Sequence, residues 1–192
     1  FQDLRVISFE SRLSDEMRNL IERLGGRAIW APSMRELPMP EDLGPLQAGI
    51  RAVADRQVEV MVFTSAQQLQ DVLQVAGDMG LQQAFRDAAR QIVIGSVDPT
   101  CSEALVDNGL GFDFEPDGMD MGNLIRGLAR SAHLLLARKR ASHAAGIDVT
   151  RARRVDLVWD VSEPVSVKPV SSAARGTGLT EPGSDTTKQF VK

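Results

Sequence analysis

The chain has 192 residues, of which 43% are hydrophobic, which is enough for one sizeable core but short for two full domains. A net charge of −4 and a pI near 5.3 exclude a chain that binds nucleic acid over its whole surface, because phosphate contacts need a basic face. Cys101 is the single cysteine, which excludes an intrachain disulfide and a cysteine-rich zinc site and favours a reducing cytoplasm. No apolar stretch reaches the roughly 20 residues that span a bilayer, so no membrane partner is expected.

The first part of the chain alternates short apolar runs with helical patterns. Residues 4–9 predict a strand, after which Ser14 is expected to cap a helix that stops at the glycine pair 25–26. Residues 28–31 predict a second strand. A proline-rich connector then leads to a predicted helix over residues 43–54.

The same alternation continues to about residue 140. Residues 58–63 form the continuous apolar run that is typical of a buried parallel strand, and Ser65 is expected to cap the helix that follows. Pro99 opens a later helix. The other predicted elements in this part are a helix over residues 81–89, a strand over 91–94, a fifth strand over 111–115 and a long closing helix over 119–140.

This order of elements predicts an α/β domain over residues 1–140, with a doubly wound, flavodoxin-like parallel sheet of about five strands, flanked by helices and joined by right-handed crossovers. Beyond it the pattern dissolves. Residues 165–192 are rich in Ser, Thr, Pro and Gly, so residues 141–192 are expected to form a flexible and largely disordered tail. A peripheral strand over residues 151–159 is left open.

Hydroxyl side chains follow three of the predicted strands, where helices begin. The carboxyl ends of neighbouring parallel strands lie side by side, so these turns are expected to converge on one crevice. Helix N-termini supply unpaired N–H groups and hydroxyls add donors, so such a crevice favours anions. The alternative is that each hydroxyl merely caps its helix. The predicted substrate-binding residues are Ser11, Arg12, Thr64, Ser65, Ser96, Thr100 and Ser102.

Several residues near these turns have two interpretations. Arg12 either binds a ligand carboxylate or pairs with Glu16 on the protein surface. Gln67 and Gln68 face either the crevice or only the first turn of a helix, and the second interpretation is favoured. Cys101 is expected to be a small buried residue rather than a reactive thiol.

The sequence assigns no catalytic residue and no metal ligand. Glu10 and Asp98 would act as an acid and base only if they met in the crevice, which is not favoured. His133, His143 and the basic residues 138–140 are expected to lie on the solvated surface of the closing helix. The glycine-rich motifs of P-loop and dinucleotide-binding proteins, the acidic set of a phospho-receiver domain and the nucleophile elbow of serine hydrolases are all missing.

Five features in a particular order carry a family resemblance: RVISFESR at 5–12, the glycine pair at 25–26, APSMR at 31–35, VFTSAQQ at 62–68 and DPTCSEAL at 98–105. Across residues 4–140 the chain resembles the uroporphyrinogen-III synthase family. The resemblance implies a cofactor-free lyase of tetrapyrrole biosynthesis, which closes hydroxymethylbilane into uroporphyrinogen III and inverts the last pyrrole ring. It also implies a substrate that is a tetrapyrrole polycarboxylate, held in a cleft between two similar α/β domains.

The chain departs from the family at three points. Residues 38–43 run straight into a segment that resembles the return from the family's second domain, which this sequence lacks. The family has a tyrosine that is suspected of helping the substrate hydroxyl to leave, and this chain contains no tyrosine. Asp98 stands where the family usually has glycine, and it places a negative charge beside an anion site.

Two functions therefore remain open. The leading hypothesis is a uroporphyrinogen-III-synthase-like enzyme, impaired by the missing second domain unless a second copy of the chain or a partner domain completes the cleft. The alternative is a non-catalytic single domain that binds a tetrapyrrole or another small anion.

Overall fold

A computed structural model describes residues 1–33 and 43–146. Strands and helices alternate through these ranges as the sequence predicts. The strands are β1 (Arg5–Ser8), β2 (Arg27–Trp30), β3 (Val60–Phe63) and β4 (Val93–Ser96). The helices are α1 (Ser14–Arg23), α2 (Gly44–Ala54), α3 (Ala66–Asp78), α4 (Gln82–Ala89), α5 (Pro99–Asp107) and α6 (Met121–Ala144).

The strands form one parallel sheet in the order β2-β1-β3-β4. Ile7 of β1 lies opposite Ile29 of β2 and Met61 of β3, and Met61 in turn lies opposite Ile94 of β4. Every residue of β3 and β4 is buried, so helices cover both faces of the sheet there. The predicted α/β class is confirmed. The strand order reverses direction between β1 and β3, which makes their carboxyl ends the topological switch point of the sheet.

The predicted fifth strand is reduced to one isolated bridge between Gly95 and Phe114. The N–H of Asp113 donates to the carbonyl of Ile94 at 2.7 Å, and the N–H of Ser96 donates to the carbonyl of Phe114 at 2.9 Å. The Asp113 carboxylate, however, accepts the N–H of Ile94 at 2.8 Å, a donor that a strand carbonyl would otherwise take. A side chain thus takes one position of the backbone ladder, and the prediction of a regular fifth strand is wrong.

The N-terminal cap of α3 is the residue that the sequence predicts, whereas that of α1 is not. The N–H of Gln68 donates to Ser65 Oγ at 3.3 Å, so Ser65 caps α3 as predicted. Ser14 is the first residue of α1 rather than its cap, because Leu13 occupies the cap position and supplies no side-chain bond. Asp120 caps α6, because its carboxylate accepts the N–H of Asn123 at 2.7 Å.

The closing helix α6 packs its apolar side against β4, where Leu124 and Leu128 approach Gly95. Its basic end differs from the prediction of a fully solvated cluster. Lys139 is buried and forms an ion pair with Asp113 at 2.6 Å. His133 is exposed as predicted, and its Nε2 lies 2.8 Å from the carbonyl of Phe1, to which it donates.

Two sequence predictions fall largely beyond the described ranges. The predicted tail starts at residue 141, yet α6 continues to Ala144. The open question of a strand over 151–159, and the junction at 38–42 where the family's second domain would leave, lie outside the described residues. In the described ranges, no helix is long and apolar enough to cross a membrane.

Candidate functional site

The candidate site lies where β1 and β3 end, at the switch point of the sheet. Ser8 of β1 and Val62 of β3 are register partners, so the residues that follow them leave the sheet next to each other. Glu10 follows β1, and Thr64 follows β3. Open α/β sheets bind ligands in the crevice at this position, which makes the contacts of these side chains informative.

One oxygen of the Glu10 carboxylate binds the backbone just before α1. Oε1 of Glu10 accepts the N–H groups of Ser11 at 3.0 Å and Arg12 at 2.8 Å, with a longer contact of 3.4 Å from Leu13. The sequence predicted that backbone N–H groups here would bind an anion. The anion that they bind in the structure is the protein's own carboxylate.

The other oxygen of Glu10 binds side chains that come from β3 and α3. The Thr64 hydroxyl donates to Oε2 of Glu10, and Nε2 of Gln68 donates to the same oxygen at 3.2 Å. Gln68 also brackets Thr64, because its Oε1 accepts the N–H of Thr64 at 2.9 Å and its Nε2 donates to Oγ1 of Thr64 at 2.7 Å. We call Glu10, Thr64 and Gln68 the switch-point cluster.

These contacts decide the charge of Glu10. Its partial burial acts to raise the pKa of the carboxyl, because burial disfavours the charged form. The hydrogen bonds from the Thr64 hydroxyl and from the N–H groups of Arg12, Leu13 and Ser11 act the other way, and together they hold the pKa of Glu10 below its ordinary value. Glu10 is therefore ionised at neutral pH and carries its negative charge at the switch point.

The predicted binding residues divide into exposed and buried positions. Arg12 and Thr100 are exposed, and Ser11 and Ser65 are half-buried. Ser96 is completely buried, and its hydroxyl donates to the carbonyl of Asp98 at 3.1 Å.

Ser102 is buried as well, and its hydroxyl donates to the carboxylate of Glu115. The structure thus brings Thr64 into the cluster beside the backbone of residues 11–12. It turns the hydroxyls of Ser96 and Ser102 toward internal partners.

The side chain of Asp98 makes its hydrogen bond within the start of α5. Asp98 caps α5 by accepting the N–H of Cys101 at 2.8 Å. Cys101 is buried as predicted, and its pKa is raised above the ordinary value by burial first, with the Asp98 charge adding to the effect. Glu10 and Asp98 are thus bound at the starts of two different helices, α1 and α5. The described residues contain no group of three His, Cys, Asp or Glu side chains that could hold a metal ion.

The favoured prediction of an outer helical turn holds for Gln67 but is wrong for Gln68. Its neighbour Gln67 is exposed and bonds Asp71 at 2.8 Å, as a residue of an outer helical turn should. Gln68 is buried and holds the cluster together. A signal was available, since Gln68 lies in phase with the buried residues Leu69 and Val72 on the inner stripe of α3.

A solved structure of wild-type uroporphyrinogen III synthase from the extreme thermophile Thermus thermophilus is similar to this chain. The TM-score is 0.57 at 13% identity, and the match covers 68% of this chain and 98% of that chain. The fold resembles that of uroporphyrinogen III synthase. The likeness that the motifs predict is thus confirmed at the level of the fold.

Two further uroporphyrinogen III synthase structures from Thermus thermophilus match less closely. One has 20% identity and a TM-score of 0.35, and the other, a mutant form, has 21% identity and a TM-score of 0.36. The chain covers 43% and 44% of the length of these two synthase chains. No family model matches the sequence, and no curated protein matches it.

Proposed function

We propose that this chain is a uroporphyrinogen-III-synthase-like domain of tetrapyrrole biosynthesis, which binds hydroxymethylbilane at the switch point and promotes its closure to uroporphyrinogen III. The motifs and the fold likeness support the choice of substrate. The observation that carries the proposal is the ionised Glu10 carboxylate, held against Thr64 where such sheets bind ligands. We also propose a cytoplasmic location, on the sequence grounds given above.

The chemistry of closure suits a fixed negative charge. The substrate hydroxyl leaves with a proton as water, and a positive charge remains on the terminal pyrrole. A new carbon–carbon bond to the last ring transfers the positive charge to that ring. Because isomer III has this ring inverted, the bond that joined it to the neighbouring ring must then break and form again at its other α-carbon. A proton is released at the end, so no oxidant or reductant is needed. A preorganised carboxylate beside the developing cation lowers the barrier without reorganisation of solvent. Glu10 supplies such a charge, because its hydrogen bonds fix both of its oxygens.

The substrate carboxylates need donors at the rim of the same edge. Arg12 and Thr100 are exposed there, at the starts of α1 and α5. We propose that Arg12 makes charge-assisted bonds to substrate carboxylates, and that Thr100 and the Ser11 and Ser65 region add neutral donors. The proposed reaction uses no cofactor and no metal.

A single α/β domain encloses only one side of a large substrate. We therefore propose that a second copy of this chain or a separate partner domain completes the cleft, since enclosure and orientation supply much of such a rate enhancement. The alternative, a non-catalytic domain that binds a tetrapyrrole or a small anion, is favoured by one observation. The hydroxyls of Ser96 and Ser102 point to internal partners, so fewer groups are left to hold a reacting substrate.

The experiment that tests the proposal follows freshly generated hydroxymethylbilane with the purified chain and resolves the isomers of uroporphyrinogen by chromatography. We expect isomer III, at a rate above the spontaneous formation of isomer I. A rate per chain that rises with protein concentration indicates that a second copy completes the cleft. Isomer I alone, at the spontaneous rate, overturns the enzyme, and tight binding without turnover then supports the alternative. For variants of the rim residues, the matched control is Arg23→Ala, which changes an exposed residue near the opposite end of α1.

A further inference from the structure

The hydrogen bonds of the switch-point cluster fix the position of every polar hydrogen in it. A backbone N–H can only donate, so the Gln68 atom 2.9 Å from the N–H of Thr64 is an oxygen. The other terminal atom of Gln68 is then the nitrogen, which carries two hydrogens. It donates to Oγ1 of Thr64 at 2.7 Å and to Oε2 of Glu10 at 3.2 Å.

The direction of the Thr64 hydroxyl follows from these two bonds. Oγ1 already accepts from Gln68, and Glu10 is an ionised carboxylate that can only accept. The hydroxyl hydrogen of Thr64 must therefore be donated to Glu10. A hydroxyl has one hydrogen and two lone pairs, so Thr64 keeps only one lone pair for a ligand.

The cluster therefore has the opposite polarity to the one expected from the sequence. A row of hydroxyls after strands predicts donors for an anion. In the structure the Thr64 hydrogen is donated to Glu10, so Oγ1 can offer a ligand only an acceptor, and the negative charge of Glu10 is hydrogen-bonded to it. Glu10 and Thr64 are both half-buried at the carboxyl ends of β1 and β3, so the cluster is partly open to solvent. A ligand carboxylate placed here would meet an acceptor and a like charge.

We propose that the switch-point cluster receives the pyrrole N–H side of the tetrapyrrole, through Oγ1 of Thr64, and that the substrate carboxylates lie away from it. This inference rests on the proposed function, because it names which part of the proposed substrate meets the cluster. Pyrrole N–H groups are donors, and they become stronger donors when the ring carries the positive charge of the intermediate. Gln68 acts as a positioning residue, since it fixes the Thr64 hydroxyl without reaching the ligand.

The test compares two charge-neutralising variants of the full chain in binding to uroporphyrinogen III under anaerobic conditions. Glu10→Gln removes the charge of the cluster, whereas Glu16→Gln removes the same charge from an exposed position on α1 and controls for overall charge. Salt of about 0.3 M screens long-range repulsion of the carboxylates. We expect Glu10→Gln to bind about tenfold more weakly than Glu16→Gln, which corresponds to about 1.4 kcal/mol. If Glu10→Gln binds as tightly as Glu16→Gln or more tightly, the inference is overturned, because a carboxylate-binding cluster would gain from the change.

A second pair of variants covers the case in which Glu10→Gln does not fold. Thr64→Val keeps the branched shape and loses the acceptor, and Thr64→Ser keeps the hydroxyl. Uroporphyrinogen labelled with 15N in its pyrroles reports the contact directly. We expect an N–H proton to move downfield on binding to wild type and to Thr64→Ser, and not on binding to Thr64→Val. The same shift with Thr64→Val overturns the inference while the proposed function stands. Failure of wild type to bind the probe at all refutes the proposed function itself.

Discussion

Lys139 of α6 lies 2.6 Å from the carboxylate of Asp113, and the two side chains are only 4% and 18% exposed. The same carboxylate accepts the N–H of Ile94 on the edge strand β4. One buried ion pair thus joins the closing helix to the sheet where a fifth strand would otherwise lie. Its contribution to stability depends on both partners, because a buried charge without its partner is costly.

Removal of one partner should therefore destabilise the domain strongly. We expect Lys139→Met to lower the free energy of unfolding by about 3–5 kcal/mol, since it leaves the mostly covered Asp113 carboxylate beside Ile94 without its cation. The double variant with Asp113→Asn should recover part of this loss. Urea unfolding of the two single variants and the double variant measures the coupling. Strictly additive losses would contradict a direct interaction between Lys139 and Asp113.

Stability should fall in acid through Glu59, which precedes β3. Burial acts to raise the pKa of Glu59, but the hydrogen bonds and charge of Arg5 outweigh it, and the pKa lies below the ordinary value of 4.5. A lowered pKa in the folded state means that the stabilisation is complete above the ordinary value and is lost as the pH falls through the folded value. We expect Glu59→Gln to be less stable than wild type at neutral pH, by about 1 kcal/mol.

The same comparison in acid supplies the check. The difference between Glu59→Gln and wild type should shrink as the pH is lowered, because the wild-type carboxylate then takes up its proton. Thermal unfolding across the acid range measures it. A stability difference that does not change with pH would show that the Glu59 charge has no part in the contact with Arg5.

Because α2 packs closely on the sheet, position 49 is expected to tolerate no side chain larger than that of glycine. A Cβ there would collide with the Cβ of Ala31 and lie 3.0 Å from Cδ1 of Ile7. We expect Gly49→Ala to cost about 1–3 kcal/mol of stability. Gly77 in α3 has nothing within 4 Å of such a Cβ, so Gly77→Ala should be neutral or stabilise the domain by up to about 1 kcal/mol. Equal effects of the two substitutions, measured by urea unfolding, would contradict the packing described here.

Arg12 provides a test of the proposed rim. We expect Arg12→Ala to weaken the binding of uroporphyrinogen III by about tenfold at low salt, which corresponds to one charge-assisted bond of about 1.4 kcal/mol. The loss should become smaller as salt is added, because Arg12 is exposed. Isothermal titration at several salt concentrations measures both effects. If Arg23→Ala, at the other end of the helix, weakens binding as much as Arg12→Ala, the rim is wrongly placed.

Most of the fold could be predicted, because strands and helices that are buried show a regular pattern of apolar residues in the sequence. Residues 60–63 are apolar on both faces, which is the pattern of a central parallel strand. The fifth strand could not be excluded from the sequence. An apolar pattern does not show that the carboxylate of Asp113 takes the N–H of Ile94 in place of a strand carbonyl.

The candidate site could be located from the sequence, but its polarity could not. Thr64 follows a buried strand, and this placed it at the carboxyl edge. The direction of its hydrogen depends on Gln68 and Glu10, whose partners come from different elements. Such contacts arise only when β1, β3 and α3 pack together, so spacing along the chain does not reveal them.

The position of the tetrapyrrole on the domain is the most direct test of the account. Backbone amide resonances of the 15N-labelled chain can be followed by nuclear magnetic resonance while uroporphyrinogen III is added. We expect the largest shifts at residues 11–13 and 64–68, around the switch-point cluster. This expectation is contradicted if the shifts fall instead on the depression of about 380 Å³ on α1 that is lined by Glu16, Asn19, Glu22 and Arg23, or if no amide near the cluster responds.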